Sequence, residues 1–358
     1  VDIVRKPDNK EFTTVYSKNN CFEAVREAVN KLEYDNYRRE WEKAASLLEV
    51  PKYPIQLDFE LNNSCNYSCP MCTYRTEARN NKGARIWFDF DIYKQIIDEG
   101  VIRGLKAVRL NYINEPLMRP DIKDFISYAR KAGILDMYFS TNGSLLTEKV
   151  SRELIESGLL RLQVSIDATT KETYDKIRPG RDFHKVLDNV LRFLQIRNDM
   201  GATLPTLRVN YVKTETNAHE LQQFVKYWEG KADAIGIQDF IDIGSSCSDK
   251  HVDNNMTEFK CSQPFCHLTI RYNGDMLPCC AFYGAQMPIA RIKTSVTNNS
   301  SAVGHVGHAG EIMPGELPQM TINEAWNSTV LVTLRQMHKN GEYWKNPVCK
   351  KCVLSTSH

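Results

Sequence analysis

Long apolar runs are missing from this chain. No stretch of roughly 18 uninterrupted apolar residues occurs, so no segment reads as a membrane span. The opening VDIVRKPDNKEF lacks the apolar segment of a secretory signal, which sets the expectation of a cytoplasmic protein. A dominant charge is missing as well. Lys and Arg number 46 against 44 Asp and Glu, a net charge of +2, which leaves no electrostatic footprint for a nucleic acid or an anionic membrane. Neither is an expected partner. Apart from an alternation of strand and helix patterns, no internal repeat is visible. The remaining composition, 42% hydrophobic and 25% charged over 358 residues, is that of a globular protein with room for one large domain and a smaller appendage.

Cysteine is not scarce. There are 11, an odd number that a full set of disulfides would not use up, and in a reducing compartment clusters of cysteines read as metal ligands. The most concentrated stretch is LNNSCNYSCPMCT, residues 61–73. It sets Cys65, Cys69 and Cys72 in a C-x3-C-x2-C run directly after a predicted strand. Three soft thiolates at this spacing suit iron–sulfur or zinc chemistry. No fourth local ligand is evident, so three irons of a cubane cluster would be held and the fourth left open.

Residues 1–50 are polar, with Phe22, Val25, Val29 and Leu32, then Trp41, Ala45 and Leu48, at helical spacing; they predict a helical segment packed on the outside of the adjoining domain. Residues 51–245 alternate strand and helix. Strands are predicted at 55–61, 107–112, 137–140, 162–167, 207–212 and 234–241, with helices near 91–102, 122–132, 147–157, 186–197 and 218–228. Six such units predict a parallel α/β sheet or partial barrel, with chemistry at the C-terminal ends of its strands. Those ends carry NYINEPL with Glu115, STNGSLL with Ser140 and Asn142, and VSIDA, whose Ser165 and Asp167 share one side of a strand. Arg178 and Arg181 follow in DKIRPGR.

After residue 245 the alternation stops, and residues 246–358 form a separate predicted unit. An Asn273-Gly274 pair between two short strand patterns signals a hairpin. Residues 294–318 are rich in Ser, Asn, Gly and His and read as a long loop, and a last helix is predicted over 321–338. Cys261 is followed by twelve residues, Gly274, four residues and Cys279; Cys349 and Cys352 come near the end of the sequence. Four cysteines could ligate every iron of a second [4Fe–4S] cluster, or a single zinc.

Taken together, the first cysteine run, VSIDA and the Cys261/Gly274/Cys279 set resemble the radical S-adenosylmethionine (SAM) enzymes that carry a C-terminal twitch or short SPASM domain. The resemblance spans roughly residues 55–353. It implies a (β/α)6 partial TIM-like barrel with a small C-terminal β-hairpin and helix domain. It also implies SAM, a SAM-binding [4Fe–4S] cluster on three cysteines, a second auxiliary [4Fe–4S] cluster on four, and a reducing flavodoxin or ferredoxin as electron donor. Glu115 and Pro116 match the family's Gly-Gly-Glu-Pro motif, with Ile113 and Asn114 in place of the glycines. Met71 stands where an aromatic residue usually precedes the third cysteine. By the same resemblance Glu115, Ser140, Asn142, Ser165, Asp167, Arg178 and Val212 are candidate SAM contacts. Cys247 and Cys280 are candidate hydrogen donors, and Asp239 and Asp242 candidate bases. The implied activity is hydrogen abstraction from a small hydroxylated substrate such as a sugar or aminocyclitol, ending in oxidation or epimerisation. Radical modification of a ribosomally made peptide is the alternative substrate reading, and a non-catalytic metal-binding protein the alternative of another class.

Overall fold

A computed structural model describes residues 12–17, 21–74, 85–240, 259–293 and 317–356. Strands β1 (Phe12–Ser17), β2 (Gln56–Phe59), β3 (Ala107–Arg109), β4 (Asp136–Thr141), β5 (Arg161–Ser165), β6 (Thr206–Lys213) and β7 (Ala234–Asp239) are followed by β8 (His267–Ile270), β9 (Asp275–Leu277), β10 (Ala290–Ile292) and β11 (Gln319–Met320). They form one sheet in the order β1-β7-β6-β5-β4-β3-β2-β8-β9-β10-β11. From β2 to β7 every pair is parallel, and helices connect successive strands. This is the curled but unclosed sheet of a partial TIM-like barrel, as the alternation predicts.

The helices begin and end where local chemistry dictates. Asp89 caps Phe90–Arg103 by accepting the Ile92 N–H at 2.9 Å, and Gly104 ends that helix at a φ of 117°, which costs glycine nothing. Thr147 and Asp182 cap Glu148–Glu156 and Phe183–Asp199 in the same way. Against these helices the strands present Leu57, Phe59, Val108, Met137, Phe139, Leu162, Val164, Leu207 and Val209, all buried in one continuous core. Burial of this apolar face, at about 25 cal/mol per Å², holds the layers together.

The structure adds a strand to the N-terminal segment, whose spacing reads as mostly helical. Its helices are there, at Cys21–Glu27 and Lys31–Ala45. Before them, however, β1 pairs antiparallel with β7, from Phe12 opposite Gln238 to Ser17 opposite Ala234. The outer edge of β7 would otherwise carry a row of unpaired peptide groups, and the β-rich FTTVYS covers them. The helix expected over 321–338 is interrupted. Ile322–Trp326 ends at Asn327, and Ser328 caps a new helix, Thr329–Lys339, through the Leu331 N–H.

The C-terminal region does not stand apart from the core. β8 runs parallel to β2, with Gln56 opposite His267 and Asp58 opposite Thr269, so the hairpin of β8 and β9 extends the barrel sheet at its first strand. The Asn273-Gly274 turn forms as its sequence predicts, with Gly274 at a φ of 84° and Asn273 accepting the Asp275 N–H.

At the other end of the barrel, Arg197 is 6% exposed and pairs with Asp233, which also accepts the Leu207 N–H at 2.7 Å. Asp233→Ala would leave that guanidinium uncompensated, so a loss of about 3–5 kcal/mol is expected. Urea unfolding followed by tryptophan fluorescence measures it, with Arg197→Met/Asp233→Leu expected to recover most of the difference.

Candidate active site

The loop after β2 carries the first three cysteines, and a buried carboxylate anchors it. The Glu115 N–H donates to the Ser64 carbonyl (2.9 Å), and Asn62 Nδ2 donates to the Glu115 carbonyl (3.2 Å). The Glu115 side chain, 2% exposed, accepts from Thr141 Oγ1 (2.6 Å), the Asn142 N–H (2.8 Å) and the Leu117 N–H (3.1 Å). Burial raises its pKa, and these three donors work against that rise. Asn142 then reaches across, its Nδ2 donating to Asn66 Oδ1 at 2.8 Å and lying 4.0 Å from Cys65 Sγ.

Asp167 lies just past β5 in the left-handed region, at a φ of 64°, a conformation that a non-glycine residue keeps only when its surroundings hold it there. Its carbonyl accepts from Asn217, and its carboxylate accepts the Val212 N–H and pairs with Arg178. Arg178 Nη1 lies 3.6 Å from Cys69 Sγ, so this pair brings a guanidinium to the first cysteine set. Glu220 fixes the adjoining turn. Burial pushes its pKa up, yet the Thr169 N–H and Thr170 hydroxyl outweigh burial and hold it at about 2.

Cys65, Cys69 and Cys72 stand around this junction as thiols, not disulfides. Burial, with Glu115 and the neighbouring thiols adding to it, pushes Cys65 up to about 12, and burial raises Cys69 as well. Three thiols gathered by one loop suit a cationic metal centre, which binds them as thiolates and releases their protons. The second set behaves alike. Burial and the nearby Cys280, Cys261 and Cys352 push Cys279 well up, and burial pushes Cys349 up to about 11. Cys349 and Cys352 are three apart on the helix Pro347–Thr356 and so share a face. Gly284 keeps space open beside this set, since a Cβ there would lie 2.9 Å from Cys279 Sγ and 2.8 Å from its carbonyl oxygen. Both donor sets fit iron–sulfur clusters.

Between the two sets lies a surface that a motif-by-motif reading misses. Opposite the apolar core face, the strands carry polar side chains joined into a network. Gln56 donates to Asp58 (2.6 Å) and contacts the Tyr138 hydroxyl, and Arg109 Nη1 stands 3.8 Å from Asp58. Arg109 also donates to Asn111, which accepts the Ser140 N–H. The Ser140 hydroxyl and Asn210 Nδ2 both donate to Gln163, and Glu60 pairs with Arg271 of the auxiliary hairpin at 2.9 Å. His267 is buried, and burial lowers its pKa, so its imidazole is neutral. The signal in the sequence is alternation. A parallel strand covered on both faces ordinarily reads as a continuous apolar run, whereas QLDFE, RLQVS and LRVN place a polar residue at every second position. In a barrel whose outer face is packed with helices, that pattern marks a polar interior.

The other expected residues fall variously. Ser165 ends β5 beside Asn210. Cys280 lies near Asp58 and His267, its sulfur 3.3 Å from Gln263 Oε1. Asp239 does not join the interior; its side chain is 65% exposed and paired with Lys213, because the end of β7 turns toward solvent. Asp242 and Cys247 lie outside the described residues.

A family model described as the radical SAM superfamily matches residues 59–216, and one described as an iron–sulfur cluster-binding domain, SPASM, matches residues 261–353. The chain is a radical SAM enzyme with a SPASM domain. These two domains imply SAM and two [4Fe–4S] clusters. Among curated relatives, a probable GTP 3′,8-cyclase from Methanococcus maripaludis is 28% identical over 53% of this chain and 60% of its own length. The mycofactocin maturase MftC from Mycobacterium tuberculosis is 31% identical over 48% of this chain and 41% of its own length. The tungsten-containing aldehyde ferredoxin oxidoreductase cofactor-modifying protein from Pyrococcus furiosus is 27% identical, with 48% and 47% covered. The chain thus spans about half the length of the curated relatives it matches. Two solved structures share the fold. anSMEcpe with bound AdoMet has a TM-score of 0.54 at 13% identity, covering 84% of this chain and 88% of its own. Streptococcus suis SuiB bound to precursor peptide SuiA has a TM-score of 0.51 at 14% identity, covering 82% and 70%. Among the described residues, no helix is long and apolar enough to cross a membrane.

Gly284→Ala tests the second thiol set. After anaerobic reconstitution the parent is expected to hold about eight irons and the variant about four, at four per cluster. Iron and acid-labile sulfide analysis reads this, and Cys65→Ala/Cys69→Ala/Cys72→Ala is expected to lose the complementary four or so irons.

Proposed function

We propose that this enzyme abstracts a hydrogen atom from a carbon of a small, polyhydroxylated substrate and oxidises that carbon to the carbonyl level. The observation that supports this reading is the polar interior face of the barrel. Gln56, Asn111, Ser140, Gln163 and Asn210 offer neutral donors and acceptors around it, with Arg109 and Arg271 among them, which suits a ligand rich in hydroxyl groups. Beyond the bonds these groups make to one another, buried Asn210 Oδ1 has no partner among the described residues, and a substrate hydroxyl would supply one.

In this reading Cys65, Cys69 and Cys72 hold the SAM-binding cluster, and Cys261, Cys279, Cys349 and Cys352 hold the auxiliary one. When bound, SAM and the first cluster would supply a 5′-deoxyadenosyl radical that takes the hydrogen atom, the second cluster would accept the electron left on the substrate, and the hydroxyl proton would pass to a base or water in the polar interior. The chain does the positioning. Glu115 keeps one lone-pair direction beyond its three donors for the amino group of SAM, and Asn142 and Ser165 line the same end of the barrel. Asp167 holds Arg178 toward Cys69, where its charge offsets that of a thiolate-ligated cluster. Val212 lies at the same strand end, its N–H fixed by Asp167. The reductant is a flavodoxin or ferredoxin.

The test is an anaerobic assay of the reconstituted enzyme with SAM and reduced flavodoxin against two panels, sugars and aminocyclitols in one and short peptides in the other. A member of the first panel is expected to raise 5′-deoxyadenosine formation and to lose a pair of hydrogens by mass spectrometry. A response confined to peptides, with a thioether or inverted residue as product, would overturn the reading in favour of peptide modification. No 5′-deoxyadenosine with any addition would favour a non-catalytic metal protein.

A further inference from the structure

Three metal-ligating side chains meet on the interior wall outside both cysteine sets. Asp58 comes from the middle of β2, His267 opens β8, and Cys280 follows β9. One carboxylate oxygen, one ring nitrogen and the sulfur all lie within 4.8 Å of one another. The parallel pairing of β2 with β8 creates the first contact. It sets Gln56 opposite His267, so Asp58 stands diagonally across on the same face, and His267 Nδ1 lies 4.0 Å from Asp58 Oδ2.

The hydrogen bonding here is incomplete. Asp58 is fully buried and His267 is 5% exposed, yet among the described residues Asp58 Oδ2 and both ring nitrogens of His267 have no hydrogen-bond partner. Buried polar atoms are rarely left so, and Asp58 Oδ2 with one ring nitrogen of His267, close to the Cys280 sulfur, is a set that a bound ligand would satisfy. The other carboxylate oxygen is oriented by Gln56 Nε2 at 2.6 Å, the kind of outer hydrogen bond that aims a ligating carboxylate. Arg109 approaches Asp58 Oδ2 only to 3.8 Å and makes its hydrogen bond to Asn111 instead, so it leaves that oxygen available.

We infer that Asp58, His267 and Cys280 form a mononuclear site for a divalent cation of the zinc class, separate from the two clusters. Oxygen, nitrogen and thiolate donors together suit zinc, whose bonds to them of about 2.0–2.3 Å give donor separations near 3.5 Å in a tetrahedron. Side-chain rotation closing the observed distances by about 1 Å reaches that geometry. Three protein ligands leave a fourth position for water or a substrate oxygen, the arrangement of catalytic rather than structural zinc. The site rests on this geometry alone. Its use on a substrate hydroxyl, which the cation would bind and acidify, rests on the function proposed above. Ligation also gives Cys280 a role that excludes hydrogen return, because a metal-bound thiolate carries no S–H hydrogen.

The experiment is metal analysis of the reconstituted holoenzyme after incubation with zinc and removal of loose metal, repeated with cobalt(II) as the spectroscopic probe. About one zinc per chain is expected beyond the iron of the clusters. His267→Gln and Asp58→Asn are each expected to weaken zinc binding at least about tenfold while iron content and cluster absorbance stay at parent levels. Cobalt is expected to give a thiolate charge-transfer band that Cys280→Ser abolishes. Retained iron reports a folded protein in every variant, so loss of zinc cannot be mistaken for unfolding. The inference fails if the parent binds no zinc beyond its iron or if zinc persists in His267→Gln. It also fails if Cys280→Ser loses iron, which would make Cys280 a cluster ligand. None of these readouts depends on turnover, so failure of the site and failure of the proposed oxidation are distinguishable.

Discussion

A single buried carboxylate, held by neutral donors, fixes the reacting end of this barrel. Glu115 gathers the loop after β2, the loop after β3 and the end of β4, because its backbone bonds Ser64 and Asn62 while its side chain accepts from Thr141, Asn142 and Leu117. Hydrogen bonds to a charged acceptor are worth about 1.5–3 kcal/mol each, and here they offset part of the burial, which still leaves the Glu115 pKa raised. The position of the first cysteine set relative to the strand ends depends on that exchange. A side chain one methylene shorter would lose its reach to Thr141 and Asn142 at the end of β4, while the backbone bonds to Ser64 and Asn62 would remain.

The second constraint is the division of each strand into two faces. Leu57, Val108, Phe139, Leu162 and Val209 bind the helices, and the residues between them face a polar interior. The fold therefore separates what holds it together from what it presents to a ligand. The auxiliary hairpin obeys the same rule. Leu268 and Ile270 pack into the core while His267, Thr269 and Arg271 extend the polar wall, so the C-terminal region supplies substrate-facing groups as well as cysteines.

Much of this is legible in the sequence, and the reasons differ from part to part. The first cysteines can be read because their ligands lie within one loop, where spacing stands in for geometry. The six core strands can be read because a helical pattern separates each from the next. Asp58 with His267, and Glu60 with Arg271, cannot, because their meeting depends on β8 pairing with β2, and nothing local to either strand names its partner. Arg178 illustrates an intermediate case. Its place near the radical site can be expected from DKIRPG, but its pairing with Asp167 arises from the left-handed turn at that residue, which VSIDA does not signal. β1 escapes such a reading because its short β-prone FTTVYS sits in a segment of helical pattern and its partner β7 lies far along the sequence.

The pairing of β2 with β8 also bears on how the chain is made. β2 is the first strand of the barrel to leave the ribosome, and β3 covers only one of its edges. Its other edge waits for β8, which is synthesised after every other barrel strand. Until then the nascent barrel exposes a row of open peptide groups beside the loop that carries Cys65, Cys69 and Cys72. That is the kind of edge on which partly made proteins associate. The same delay leaves the polar interior without the wall that His267, Thr269 and Arg271 supply until the auxiliary hairpin docks on β2.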